Sequence, residues 1–159
     1  MTSLGTSVNI ERIFIRPPGG NPTVERKSVR VVAGDGIEGD RYFGAHDEPG
    51  SNITFVEAEE IEAFAQKHRR PVDLSVTGRN VVTRGVRLNE LVGREFTVGS
   101  VRFRGVELCE PCLTLGEALA SPTLSPAHVV KHWVHRGGLR ADALTGGELS
   151  VGAEFQRVA

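Results

Sequence analysis

The stretch Phe96-Thr-Val-Gly-Ser-Val-Arg-Phe-Arg-Gly-Val-Glu-Leu-Cys-Glu-Pro-Cys112 decides how the rest of the chain is read. Phe96 and Val98 face Val101 and Phe103 across Gly99-Ser100, a two-residue loop suited to a type II′ hairpin. Val101 and Phe103 alternate with Arg102 and Arg104, Gly105 intervenes, and Val106 and Leu108 take up the opposite parity. That change of phase predicts a bulged strand that delivers two thiols to its end. An antiparallel hairpin leading straight into the cysteines points to a strand-rich fold.

Working outward, Val8 to Ile15, Val24 to Val32 and Asn52 to Val56 read as strands. A helix is expected from Glu57 to His68, with Ala58, Ile61, Phe64, Ala65 and His68 on one stripe, Thr54 and Glu57 as a capping box, and Pro71 ending it. Val72, Leu74 and Val76 alternate as in a strand until Gly78, and Arg79-Asn80-Val81-Val82-Thr83 starts a new one. Leu88 to Gly93 reads as a helical turn closed by glycine, and Leu115 to Ala120 as a short helix. Ser125-Pro126 opens a further helix to about His135, which Gly137-Gly138 would stop. Leu149, Val151 and Phe155 form a closing strand after the Gly146-Gly147 turn. The 19 glycines and few aromatics favour short strands and many turns. No linker or repeat divides residues 1–159, so the expectation is one domain, mainly β with two or three helices, a barrel or strongly bent sheet.

The 159 residues are enough to bury roughly 70% of the unfolded surface. A net charge of −1, from 19 basic and 20 acidic residues, gives no electrostatic case for nucleic acid or an anionic membrane. No apolar run approaches the ~20 residues of a membrane span, and Met1-Thr-Ser-Leu-Gly5 lacks the pattern of a signal peptide, so the expected location is cytoplasmic.

Two cysteines are too few for a disulfide framework. Cys109-Glu-Pro-Cys112 suits a dithiol redox pair, half of a metal site, or one working thiol with a neighbour, and chemistry is expected at Cys112 or Cys109. Two small buried hydrophobes ending a strand are the alternative. Gly34 to Gly44 is a glycine-rich loop in which backbone N–H groups and Arg41 could meet an anion, although Asp40 and Arg41 could equally pair with each other. It runs into the polar segment His46 to Asn52, too hydrophilic for the core. Arg79 and Asn80, after Gly78, could point into a pocket. His128, His132 and His135 lie at i, i+4 and i+7, a spacing that could gather three imidazoles into a metal-binding module.

Taken together these residues resemble the MOSC family, the domain named after the C-terminal part of eukaryotic molybdenum-cofactor sulfurases. The likeness lies in the order of Gly39-Asp40-Arg41-Tyr42, Arg79-Asn80-Val81-Val82, Pro111-Cys112, Arg136-Gly137-Gly138-Leu139-Arg140-Ala141 and Gly146-Gly147-Glu148-Leu149-Ser150-Val151-Gly152. The last two look like the ending of short, stand-alone bacterial members. The resemblance implies a β-barrel-like fold and a single functional cysteine, here Cys112. In members that hold molybdenum cofactor and reduce N-hydroxylated compounds, that thiolate ligates molybdenum. Arginines beside Asp40 and Asn80, here Arg41 and Arg79, contact the pterin phosphate. Other members are thought to carry sulfur as a persulfide received from a pyridoxal-phosphate cysteine desulfurase. The implied partners are therefore a desulfurase or an electron-transfer protein, and a small-molecule substrate. A difference is that Arg16-Pro17-Pro18-Gly19 stands where the reductase members have a lysine-serine pair, and Arg79 and Asn80 are adjacent where those members have an intervening proline.

Overall fold

The structure is a computed structural model that describes residues 8–45 and 48–158, so His46-Asp47 of the polar segment and the first five residues lie outside it. The chain begins with strands β1 (Asn9–Ile15), β2 (Val24–Arg26), β3 (Ser28–Val32) and β4 (Gly36–Ile37), then β5 (Ile53–Glu57) and helix α1 (Ala58–Lys67). Strand β6 (Val81–Arg84), a 3-10 turn (Leu88–Leu91), β7 (Glu95–Val98) and β8 (Val101–Leu108) follow. Helices α2 (Leu113–Leu119) and α3 (Pro126–Trp133) precede β9 (Leu139–Ala143), β10 (Gly147–Ser150) and β11 (Phe155–Arg157).

Eight strands form one sheet in the order β11-β7-β8-β9-β5-β6-β1-β2. Its two ends meet. Ile10 N donates to Ala153 O at 3.0 Å, Phe155 N to Val8 O at 2.9 Å and Gly152 N to Ile10 O at 2.9 Å, so the free edge of β1 is paired and the sheet closes as a barrel, which removes the exposed edge. A smaller sheet, β10-β3-β4, adds Val29, Val31, Ile37 and Leu149 to the same interior core. Inside, Phe55 makes edge contacts with Phe96, Phe103 and Phe155 at centroid separations of 5.7, 5.4 and 5.9 Å, an arrangement that the aromatic quadrupole favours.

The central hairpin has the expected register, Phe96 opposite Phe103 and Val98 opposite Val101, with Gly99 at φ +58°. The expected bulge is present too: the pairing of β8 with β9 slips between Gly105 and Glu107. Glycine is needed there because a Cβ would collide with the Leu91 carbonyl. The strand pair β5 and β6 is parallel, with α1 in the crossover between them. The stripe Ala58, Ile61, Phe64 and Ala65 is buried and packs with Phe14, Val56 and Val82 on the outer wall of the barrel, where Leu115, Leu119, Val129 and Trp133 of α2 and α3 complete a second core.

Five expectations are corrected. The run Val24–Val32 breaks at Lys27, because its first part pairs with β1 and its second with β10. Leu74 and its neighbours form turns, since the Asp73 carboxylate captures both the N–H and the hydroxyl of Ser75 at 3.0 and 2.6 Å. The capping box does not form: Glu57 is the N-cap of α1 and its carboxylate accepts instead from Leu88 N at 3.2 Å. Helix α3 ends at Trp133, with His135 rather than a glycine in the left-handed region at φ +61°. The closing strand is two strands in two sheets, separated by a turn at which Val151 is exposed. No helix among the described residues is long and apolar enough to cross a membrane.

Candidate functional site

Helices cover the outer wall around Val56 and Val82. Further along, where Thr54 of β5 and Arg140 of β9 alternate with core residues, the wall is left open as a cavity of about 560 Å³ lined by Tyr42, Ser51, Thr54, Arg79, Cys109 and Arg140 among others. A hollow of about 110 Å³ adjoins it, sharing Tyr42, Thr54 and Arg79 and adding Arg16, Thr23, Asp40, Arg41 and Asn80.

A buried polar hub supports this groove. One oxygen of Asp40 accepts from Arg16 N at 3.0 Å and from Asn80 Nδ2 at 3.3 Å, and the other accepts from Tyr42 N at 3.2 Å. Asn80 Nδ2 also donates to Phe14 O at 3.1 Å, while its Oδ1 accepts from Thr54 N at 3.1 Å. Asp40 and Asn80, expected beside a cofactor, therefore have their polar atoms committed to the protein, where they fix the loops that carry the arginines. Nor do Asp40 and Arg41 pair with each other: Arg41 stacks on Tyr42 at 4.6 Å. Asp40→Ala would remove the acceptor of the half-buried Arg16 and Tyr42 N–H groups and leave Asn80 Nδ2 with Phe14 O alone, and we expect a loss of about 1–3 kcal/mol in urea unfolding, with Asp40→Asn recovering part of it.

Arg16, Arg41 and Arg79 all line the hollow, and none has a carboxylate partner among the described residues. Neutral groups hold them instead: the Thr23 hydroxyl accepts from Arg16 Nε and Nη2 at 3.4 and 3.3 Å, and Gly137 O accepts from Arg79 Nε at 3.0 Å. Such partners orient a guanidinium without cancelling its charge, which leaves three forks for an anion. Arg140 is different, being bound to Glu107 at 3.0 Å and Glu48 at 3.5 Å. Sequence reasoning passed over Arg16. The only signal for it in the sequence is its place where the reductase members have a lysine-serine pair; the structure brings it to Arg79 because β1, which it follows, pairs antiparallel with the strand that Arg79 precedes.

The two thiols differ. Cys112 is exposed at the N-cap of α2. The Leu115 N–H, aided by the Thr114 N–H and hydroxyl and by the charge of Arg79, draws its pKa below the ordinary thiol value against a smaller opposing effect of burial. Cys109 is buried in the cavity wall, and burial pushes its pKa up although Arg79 and Arg140 pull the other way. Cys112 itself stands outside the cavity lining. Arg79 acts electrostatically on both sulfurs and so links the groove to the exposed thiol.

The histidine module does not assemble. With α3 ending at Trp133, His135 turns to Glu110 at 3.3 Å, His128 bonds the N-cap Ser125 hydroxyl at 2.9 Å, and His132 packs against Phe64 and His68. No group of three or more metal-capable His, Cys, Asp or Glu side chains occurs among the described residues.

Solved structures share the architecture. The YUAD protein from Bacillus subtilis superposes with TM-score 0.79 at 22% identity, over 95% of this chain and 94% of that one. YiiM from Geobacillus stearothermophilus gives TM-score 0.69 at 17% identity, over 96% and 75% of the two chains, and YiiM from Escherichia coli gives 0.65 at 16%, over 99% and 71%. No curated protein matches the sequence. The family model for the MOSC domain matches residues 43–156, from just after Arg41-Tyr42 into β11. This match, spanning most of the chain and taking in Arg79, Asn80 and Cys112, establishes that the chain belongs to the MOSC domain family.

Proposed function

We propose that Cys112 is the working thiolate of this MOSC domain, as a molybdenum ligand or a sulfur carrier, and that Arg16, Arg41 and Arg79 grip the anionic part of the cofactor or sulfur-accepting molecule. The observation that carries this reading is the exposed, acidified thiol of Cys112 under the influence of Arg79, which also lines a hollow with two further guanidiniums that no carboxylate among the described residues neutralises. The residues fit molybdenum cofactor: one thiolate for the metal, and three arginines for the pterin phosphate. When bound, the cofactor supplies two-electron reduction, of which N-hydroxylated compounds are the expected substrates. The protein's own contribution is to hold the thiolate, orient the guanidiniums through Asp40 and Asn80, and admit substrate to the cavity beside Tyr42 and Arg140.

Sulfur carriage is the second reading, favoured by the position of Cys112 outside the cavity lining, where a partner protein can reach it. In that chemistry the thiolate attacks the outer sulfur of a donor persulfide. A new S–S bond forms on Cys112, the donor's S–S bond breaks, and the donor leaves as a thiolate. A pyridoxal-phosphate desulfurase is the matching donor, and the exposed Leu113 beside Cys112 provides an apolar contact for it.

Elemental analysis and intact mass of freshly purified protein separate the two. Protein from a host that makes molybdenum cofactor is expected to contain molybdenum, or to gain the mass of one sulfur when incubated with a desulfurase and cysteine. Arg41→Ser and Arg79→Ser are expected to deplete the metal. An unmodified, metal-free chain under both conditions would refute the proposal.

A further inference from the structure

A second basic basin lies away from the arginine groove, between the last turn of α1 and helix α3. It is a cavity of about 420 Å³ lined by Lys67, His68, His128, Lys131, His132 and Arg136, with Leu124 as its apolar member. No carboxylate lines it; the nearest recorded pairing is that of Arg136 with Glu60 at a loose 3.9 Å. In a chain of net charge −1 this concentration of cations is local, not compositional.

An independent observation comes from His132. Both of its ring nitrogens are covered, and neither has a hydrogen-bond partner among the described residues, a costly arrangement for a polar ring. The ring lies between Phe64, at a centroid separation of 5.0 Å, and Trp133, at 5.5 Å, with His68 at 6.1 Å. Arg70 stacks on the far partner Phe64. Burial, followed by the charges of Arg136, Lys67 and His68, pushes the His132 pKa down to about 4, so the ring is neutral near pH 7. A metal ion is a poor occupant, because three permanent cations share the walls and the donors do not converge.

We infer that this basin is a second anion site, built for a multiply charged phosphate group such as pyrophosphate or the phosphate of a small ester. Lys67 and Lys131 face it from two helices, Arg136 closes one side, and the His68 and His128 imidazoles add polar contacts, while the covered His132 ring senses the charge from the wall. An anion placed there offsets the charges of Arg136, Lys67 and His68, which are the smaller causes, after burial, of the low His132 pKa, so that pKa rises when the site fills. The site differs from the arginine groove in position and in residues.

The test is titration of the full-length protein with inorganic pyrophosphate at constant ionic strength, followed by the imidazole resonances. Saturable shifts of His68 and His132 are expected, with a rise of the His132 pKa on saturation. Charge reversal at the exposed Lys67→Glu and Lys131→Glu should weaken this binding at least tenfold without touching the core. Arg41→Ser should leave it unchanged, which separates this site from the groove. Absence of saturable shifts, or shifts that survive the double charge reversal, would overturn the inference.

Discussion

Gly138→Ala is expected to remove most of the stability of the fold, by about 3 kcal/mol or more, or to prevent folding altogether. Gly138 has φ +107°, and a Cβ there would fall inside contact distance of the Phe55 carbonyl oxygen and lie 3.0 Å from its carbon. The obstacle is the backbone of β5, a central strand of the barrel, so no side chain can rotate out of the way. Gly138 O also accepts from Cys109 N at 2.7 Å, so any shift is passed to the end of β8. Gly20 is the control: it has φ +75° but open space around a would-be Cβ, and Gly20→Ala should cost only the left-handed conformation, about 1–2 kcal/mol. Urea midpoints for the two variants decide the matter. A similar small loss for both would show that the crossing at Gly138 is not rigid.

That glycine also shows where reading the sequence succeeds and where it stops. Gly137-Gly138 was expected to stop a helix, yet α3 has already ended at Trp133. A Cβ on Gly137 would strike the Cys109 carbonyl, and Gly137 O anchors Arg79, so the pair is a close crossing of three segments. Sequence alone cannot tell a glycine required by φ from one required by a neighbour remote in the chain. The central hairpin and bulge were legible because Gly99-Ser100 and the parity change at Gly105 are local signals. The stripe of α1 was legible for the same reason.

Strand β9 was not, because Leu139-Arg-Ala-Asp-Ala143 carries one large apolar residue; Ala141 and Ala143 are core residues only because β5 and β8 approach from either side. The order β9-β5-β6-β1 follows no chain sequence, so the meeting of Arg16 with Arg79 could not be read from spacing. Asn52 belongs to the same class. It reads both as the last residue of a segment too hydrophilic for the core and as the first of a strand, and the structure buries its amide, which bridges Gly34 O at 3.0 Å and Ala143 N at 3.0 Å. The three-imidazole face depended on α3 continuing to His135, and it dissolved with the last turn.

Cys112 is expected to be alkylated by iodoacetamide about a hundredfold faster than Cys109 at neutral pH, since it alone combines exposure with an acidified thiol. Exposure and acidity can be separated by the pH profile. The thiolate is the reacting form, so the rate climbs as pH rises through the pKa and levels off above it. For Cys112 the half-maximal pH should lie below the roughly 8.5 of a free thiol, and for Cys109 above it. The Leu115 N–H makes the largest contribution to the shift, ahead of Thr114 and Arg79. Thr114→Val, which removes only the hydroxyl, and Arg79→Ser should therefore each raise the half-maximal pH of Cys112 without bringing it to the free-thiol value. A Cys112 that titrates as a free thiol in the unaltered protein would remove the basis for its role. If the assignment holds, Cys112→Ala abolishes the uptake of molybdenum or sulfur while Cys109→Ala retains it. Loss in Cys109→Ala with retention in Cys112→Ala, the former still folded by its urea midpoint, would instead place the working sulfur inside the cavity.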